Sequence, residues 1–153
     1  GDLIAPTMDA VEDGAAVEQP QDSAQATLAP RLSKSDGWIP WDLPAARLIN
    51  FIRAMTPWPG AFALHAPLDG RRERRVTVLA ARMGPERRLA RRRIVPGATP
   101  GKIVIAHKTL AVATGDGLIT LLRLTPDGSK PMDAESFLRG YRVQVGDYFR
   151  APE

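Results

Sequence analysis

At 153 residues, with 44% apolar residues and no cysteine, the chain has the length of one domain with tails and is too short for a nucleotide-binding α/β domain plus a second module. The lack of cysteine excludes disulfides and thiolate metal or redox sites and fits a cytoplasmic protein; the apolar runs fall far short of the ~20 residues of a membrane helix. The formal net charge of +4 hides an asymmetry, because residues 1–27 hold six acids and no Lys or Arg, whereas residues 71–93 hold ten arginines against Glu73 and Glu86.

One concentrated basic segment on a mildly charged body points to a polyanionic partner. Arg outnumbers Lys 17 to 4. The planar guanidinium fork suits phosphate recognition, although a GC-rich genome produces the same bias. An aromatic content of 6% argues against a general single-strand binder, which stacks bases on exposed rings.

In chain order, Leu3, Ile4, Met8 and Val11 form a weak helical stripe that cannot bury itself alone, and Gln19–Ala26 is a polar linker. The abrupt start on Gly1-Asp2-Leu3 reads as a piece of a longer protein. Asp42 is expected to cap a helix over Leu43–Met55, with Pro44 in its first turn. Ala45, Leu48, Ile49, Phe51, Ile52 and Met55 fall on one face of that helix, and Arg47, Asn50, Arg53 and Ala54 on the other. Pro57 stops it, and Pro59-Gly60 turns the chain into a strand at Ala61–Ala66. Trp41 and Trp58 are assigned to packing against the helix, while Trp38 is open between core packing and a stacking platform.

A period of two then takes over. Arg74–Met83 is a second strand, with Val76, Val78 and Ala80 opposite Thr77, Leu79 and Ala81. Glu86–Pro100 is expected as a loop carrying Arg87, Arg88, Arg91, Arg92 and Arg93. Lys102–His107 and Leu110–Thr114 are strands three and four, joined through the Gly115-Asp116-Gly117 hairpin to Leu118–Leu124, which Pro126-Asp127-Gly128 closes. Asp133 caps a short helix, Ala134–Arg139, with Met132 and Phe137 as a hydrophobic staple and Gly140 as its stop, before a last strand at Val143–Phe149. The fold class is mainly β: a small closed OB-like Greek-key barrel with a preceding amphipathic helix and a short helix near the C-terminus.

No residue is assigned to catalysis or metal binding. His65 and His107 fall in separate strands with no acid at a useful spacing, and both read as ordinary strand residues. Gly115-x-Gly117 lacks the third glycine and following helix of a phosphate loop. Asp133 and Glu135 suit a cap and a first helical turn rather than an acid/base pair.

The run Ala29–Gly37 (APRLSKSDG), with Ile39, Trp41, Asn50, Ile52-Arg53-Ala54 and Pro57–Phe62 (PWPGAF), resembles the start of the C-terminal domain of methionyl-tRNA formyltransferases, a pattern shared with sugar formyltransferases and formyl-tetrahydrofolate dehydrogenase. Val112–Gly117, Pro131–Gly140 and Gly146-Asp147 are similar to later segments of the methionyl-tRNA enzymes in particular. The resemblance spans residues 3–150 and departs at 71–93, which is longer and more basic than is usual in the family. It implies that residues 1–18 are the remnant of the last helix of a catalytic domain, 19–37 an interdomain linker, and 38–153 a C-terminal OB-like domain.

The family's catalytic Asn, His and Asp belong to an N-terminal domain that this chain lacks. The resemblance therefore implies no cofactor in this chain, the parent enzyme using 10-formyltetrahydrofolate. The implied partners are initiator methionyl-tRNA and the missing catalytic domain, without a membrane, in a monomer that positions the tRNA for N-formylation in translation initiation. The tRNA is expected along Arg31, Lys34, Arg71, Arg72, Arg74, Arg75, Arg87, Arg88, Arg91, Arg92 and Arg93. The alternative is the C-terminal domain of a sugar or other folate-dependent formyltransferase with no nucleic-acid role.

Overall fold

The computed structural model describes residues 2–84 and 98–152. The chain divides into two compact units, Gly1–Arg31 and Leu32–Glu153. The first contains helix α1 (Ile4–Glu12) and a 3-10 turn, Ser23–Gln25, where the Asp22 carboxylate accepts the Ala24 N–H at 2.9 Å. Leu3, Ile4, Met8 and Val11 remain 63–82% exposed, so the apolar stripe of this unit is uncovered.

The second unit holds α2 (Ala45–Met55), β1 (Ala61–Ala66), β2 (Arg74–Met83), β3 (Ile103–Ala106), β4 (Leu110–Ala113), β5 (Leu118–Pro126), β6 (Met132–Asp133), α3 (Ala134–Tyr141) and β7 (Tyr148–Arg150). The strands form one antiparallel sheet in the order β3-β4-β5-β2-β1-β7, with β6 paired to β5. Its two ends meet. Lys102 bridges Tyr148, Ile103 N–H donates to the Asp147 carbonyl, and Phe149 N–H donates to the Gly101 carbonyl, the last two at 2.8 Å. The sheet is thus a nearly closed barrel, which is how a short β chain limits unpaired edges.

Inside lie Ala61, Ala63, Val76, Val78, Leu110, Val112, Ile119, Leu121, Phe137 and Phe149, and α2 adds Ala45, Leu48 and Ile52. Ile49, Phe51 and Met55 pack against this core, whereas Arg47, Asn50, Arg53 and Ala54 are exposed, as the periodicity predicts. The start of α2 differs from the sequence reading. Asp42 makes no cap, and the helix begins at Ala45. Backbone from the β4–β5 hairpin takes that role: Ala45 N–H donates to the Asp116 carbonyl at 3.3 Å, and Gly115 N–H lies 3.0 and 3.1 Å from the carbonyls of Trp41 and Leu43. Residues 41–44 are held against the hairpin, so they cannot join the helix.

Other expectations need correction for local reasons. Register shifts around Val78–Ala81 break the alternation of β2, so Ala81 rather than Ala80 packs on the core. Trp41 is buried and stacks on Phe149 at 5.7 Å, but Trp58, between two cis X-Pro bonds, is 53% exposed. α3 is capped by Asp133 as predicted, its carboxylate accepting Ser136 N–H at 2.7 Å. It runs through Gly140 to Tyr141, and Arg142 takes the left-handed C-cap conformation, φ 51°. The final strand is only Tyr148–Arg150, because Asp147 folds residues 144–147 into a turn by accepting Gln144 N–H, with Gly146 at φ +103°. β3 covers only Ile103–Ala106, and β5 extends to Pro126. Most of the expected loop Glu86–Pro100 lies outside the described residues.

Candidate nucleic-acid interface

The pleat of β2 sends Arg74 and Arg75 to opposite sides, and pairing with β1 sets Arg74 opposite His65 and Arg75 opposite Leu64. Each guanidinium then covers an aromatic ring. Arg74 lies 4.4 Å from the centroid of Tyr141, on α3; Arg75 lies 3.6 Å from that of Phe62, on β1, and 5.6 Å from that of Trp38. Arg72, Glu73, Arg74, Arg75 and Asp127 line a cleft of ≈ 330 Å³ at this end of the strand. Glu73 is turned to Arg150, whose Nη2 donates to its Oε1 at 2.8 Å.

Arg71, by contrast, is taken up by the fold. Its Nε donates to both Asp69 oxygens at 2.7 and 2.8 Å, and Nη1 and Nη2 donate to the carbonyls of Tyr141 and Arg142 at 2.8 and 3.0 Å. The hydrogen bond between them holds the Asp69 carboxyl below its ordinary range and the Arg71 guanidinium above its own. Arg71 therefore closes the end of α3, whose last carbonyls lack helical partners.

Lys34 opens a 3-10 turn, Lys34–Gly37. Asp36 locks that turn by accepting Ser33 N–H at 2.6 Å and the Ser33 hydroxyl at 2.9 Å, bonds that hold its carboxyl below the usual range. The segment lies across β1: a Cβ on Gly37 would run into the Gly60 carbonyl and the Phe62 ring, Trp38 meets Phe62 edge-on at 4.5 Å, and Ile39 N–H donates to the Phe62 carbonyl at 3.0 Å. Among the predicted contact residues, Arg72, Arg74 and Arg75 border one cleft at the end of β2, with the guanidiniums of Arg74 and Arg75 on opposite sides of the strand, and Lys34 sits on the strap that crosses Phe62. Arg31 is exposed at the end of the first unit, and Arg87, Arg88, Arg91, Arg92 and Arg93 lie outside the described residues.

The sequence reading missed a buried pair. His65 Nε2–H donates to Asp147 Oδ2 at 3.1 Å, and the same carboxylate accepts the N–H groups of Leu68 and Gln144 at 3.1 and 3.0 Å. Both residues are buried, and the imidazole packs against Phe137 and Phe149, with centroids at 5.7 and 5.6 Å. Burial pushes the imidazole below the ordinary histidine range; the bond to Asp147 pulls it partly back, and the charges of Arg74 and Arg71 push it down further. His65 Nδ1 has no partner among the described residues, which suits a neutral ring with its proton on Nε2. The pair ties β1 to the turn before β7, and no group of three or more potential metal ligands exists among the described residues. No spacing signal could reveal two partners 82 positions apart.

The family model described as formyl transferase, C-terminal domain, matches residues 31–142. The methionyl-tRNA formyltransferase of Roseiflexus castenholzii is 38% identical over 95% of the chain, that of Symbiobacterium thermophilum 37% over 99%, and that of Chlamydia abortus 33% over 92%. The chain spans only 42, 43 and 42% of the length of these relatives. A crystal structure of a HypX variant from Aquifex aeolicus matches with a TM-score of 0.56 and 15% identity, covering 94% of this chain and 23% of that one, a likeness of fold.

Proposed function

We propose, for a chain that belongs to the formyl transferase C-terminal domain family, that its barrel is a tRNA-binding surface that positions initiator methionyl-tRNA for a catalytic domain outside this chain. The observation that carries this reading is the cleft lined by Arg72, Arg74 and Arg75, two of them stacked on rings with their N–H edges unbonded among the described residues. Arginines held this way contact phosphate oxygens, which sets the register and orientation of a nucleic acid without reading its bases. By charge and nearness in sequence the reading also counts Arg87, Arg88, Arg91, Arg92 and Arg93 of the basic segment, with Arg31 and Lys34, as contacts for the tRNA.

In this reading residues 1–18 belong with the catalytic domain, 19–37 link it, and 38–153 are the tRNA arm of a cytoplasmic enzyme whose other domain binds 10-formyltetrahydrofolate. The relatives named as methionyl-tRNA formyltransferases support tRNA as the polyanion. Competition decides the matter: labelled tRNA bound to the purified chain should resist displacement by single-stranded DNA of equal length. Equal displacement makes the surface a general polyanion binder. Absence of tRNA binding leaves the domain to a formyltransferase with a small substrate. The chain alone should transfer no formyl group to methionyl-tRNA, and turnover above a mock preparation would refute its role as an arm.

A further inference from the structure

Phe62 is 2% exposed, yet it stands apart from the barrel core formed by its neighbours Ala61 and Ala63, because alternation along β1 sends it to the outer face. Its cover comes from Gly37, Trp38 and Arg75. Arg75 uses its flat face for this contact. Unlike Arg71, which spends its donors on Asp69, Tyr141 and Arg142, Arg75 keeps its N–H groups without a hydrogen bond or ion pair among the described residues. A guanidinium stacked by its face offers its whole donor edge to a phosphate, and one that is already immobilised loses less freedom on binding.

Trp38 braces Phe62 from the strap side. It meets Phe62 edge-on at 4.5 Å and lies 5.6 Å from the Arg75 guanidinium, and its place is set by the Asp36 turn and the close approach of Gly37 to β1. We propose that Trp38 is a positioning residue for tRNA: by bracing Phe62 from its edge it fixes the ring on which Arg75 lies, and so holds the Arg75 donor edge in place on the outer face of the barrel. This rests on the tRNA-binding reading and goes beyond it, since it makes the strap before α2 a part of the contact that need not itself touch nucleic acid.

The test measures binding of unfractionated tRNA to the 153-residue chain and to its Trp38→Leu, Trp38→Phe, Arg75→Ala, Arg75→Lys and Trp38→Leu/Arg75→Ala variants, alongside the NMR resonance of the Arg75 Nε–H. Trp38→Leu should weaken binding about three- to tenfold, close to the loss from Arg75→Ala, and lower the salt slope by about one. The double variant should bind no worse than Arg75→Ala alone. Trp38→Leu should also move the Nε–H resonance out of the Phe62 ring current, and Trp38→Phe should restore both signals. Arg75→Lys, which keeps charge but not the flat stack, should lose as much as Arg75→Ala; it decides the question if Trp38→Leu does not fold. Wild-type affinity and an unmoved resonance in Trp38→Leu, or additive losses in the double variant, overturn the positioning role while leaving tRNA binding intact. Failure of the unmodified chain to bind tRNA overturns the reading beneath it.

Discussion

His65 packs against two phenylalanines, edge-on to Phe137 and tilted to Phe149, and one of its nitrogens has no partner among the described residues. Adding a proton there would create a buried N–H with nothing to accept it, so the folded chain protonates this ring less readily than the unfolded chain. The unfolded state then binds more protons as pH falls below about 6.5, and stability rises with pH through that window. The contribution is complete above the ordinary histidine pKa and is lost as pH drops toward the depressed one. Thermal melts should show a lower Tm at pH 5 than at pH 7, and His65→Gln should flatten that difference. Asp147→Ala strands the imidazole and two backbone N–H groups at once, for an expected loss of about 3 kcal/mol in urea unfolding. An unchanged midpoint would remove Asp147 from the structural account. Asp133 and Gly60 were legible at this scale because caps and turns are local; His65 was not, because its partner is distant in sequence.

Helix α2 shows how far periodicity reaches and where it stops. Its buried face, Ala45, Leu48 and Ile52, follows from spacing alone. Its first residue does not, because the cap comes from hairpin backbone that only the tertiary fold brings near. Ile52→Asp should unfold the barrel, since an unpaired charge in a site 1% exposed costs several kcal/mol. Trp58→Ser, at 53% exposure, should shift the urea midpoint little. Gly115→Ala puts a methyl group against the Asp42 carbonyl, and the misfit should cost about 1–3 kcal/mol. Wild-type stability of that variant would show that the 41–45 segment can move off the hairpin. The bulge of β2 and the turn before β7 escaped the sequence reading for a shared reason: a period of two carries no mark where a residue is inserted or a carboxylate folds the chain back.

At the scale of the whole molecule, charge was legible and geometry was not. Ten arginines in residues 71–93 lead the sequence reading to expect a polyanion partner, but composition cannot separate Arg71, which secures α3, from Arg72, Arg74 and Arg75, which line the cleft. That separation predicts opposite phenotypes. Arg71→Ala should lower stability, by loss of the helix-end contacts, while Arg72→Ala, exposed and without a hydrogen-bonded partner among the described residues, should leave stability near wild type and weaken tRNA binding. The central claim is that phosphate contacts hold tRNA on this barrel, and salt is the most direct probe of it. If about four arginines touch phosphates, log K for tRNA against log salt should fall with a slope of about −3 to −4, and Arg91, Arg92 and Arg93 changed together to Ala should flatten it by about two to three units with the fold intact. A wild-type slope near zero, or a triple variant with unaltered affinity and slope, would contradict it.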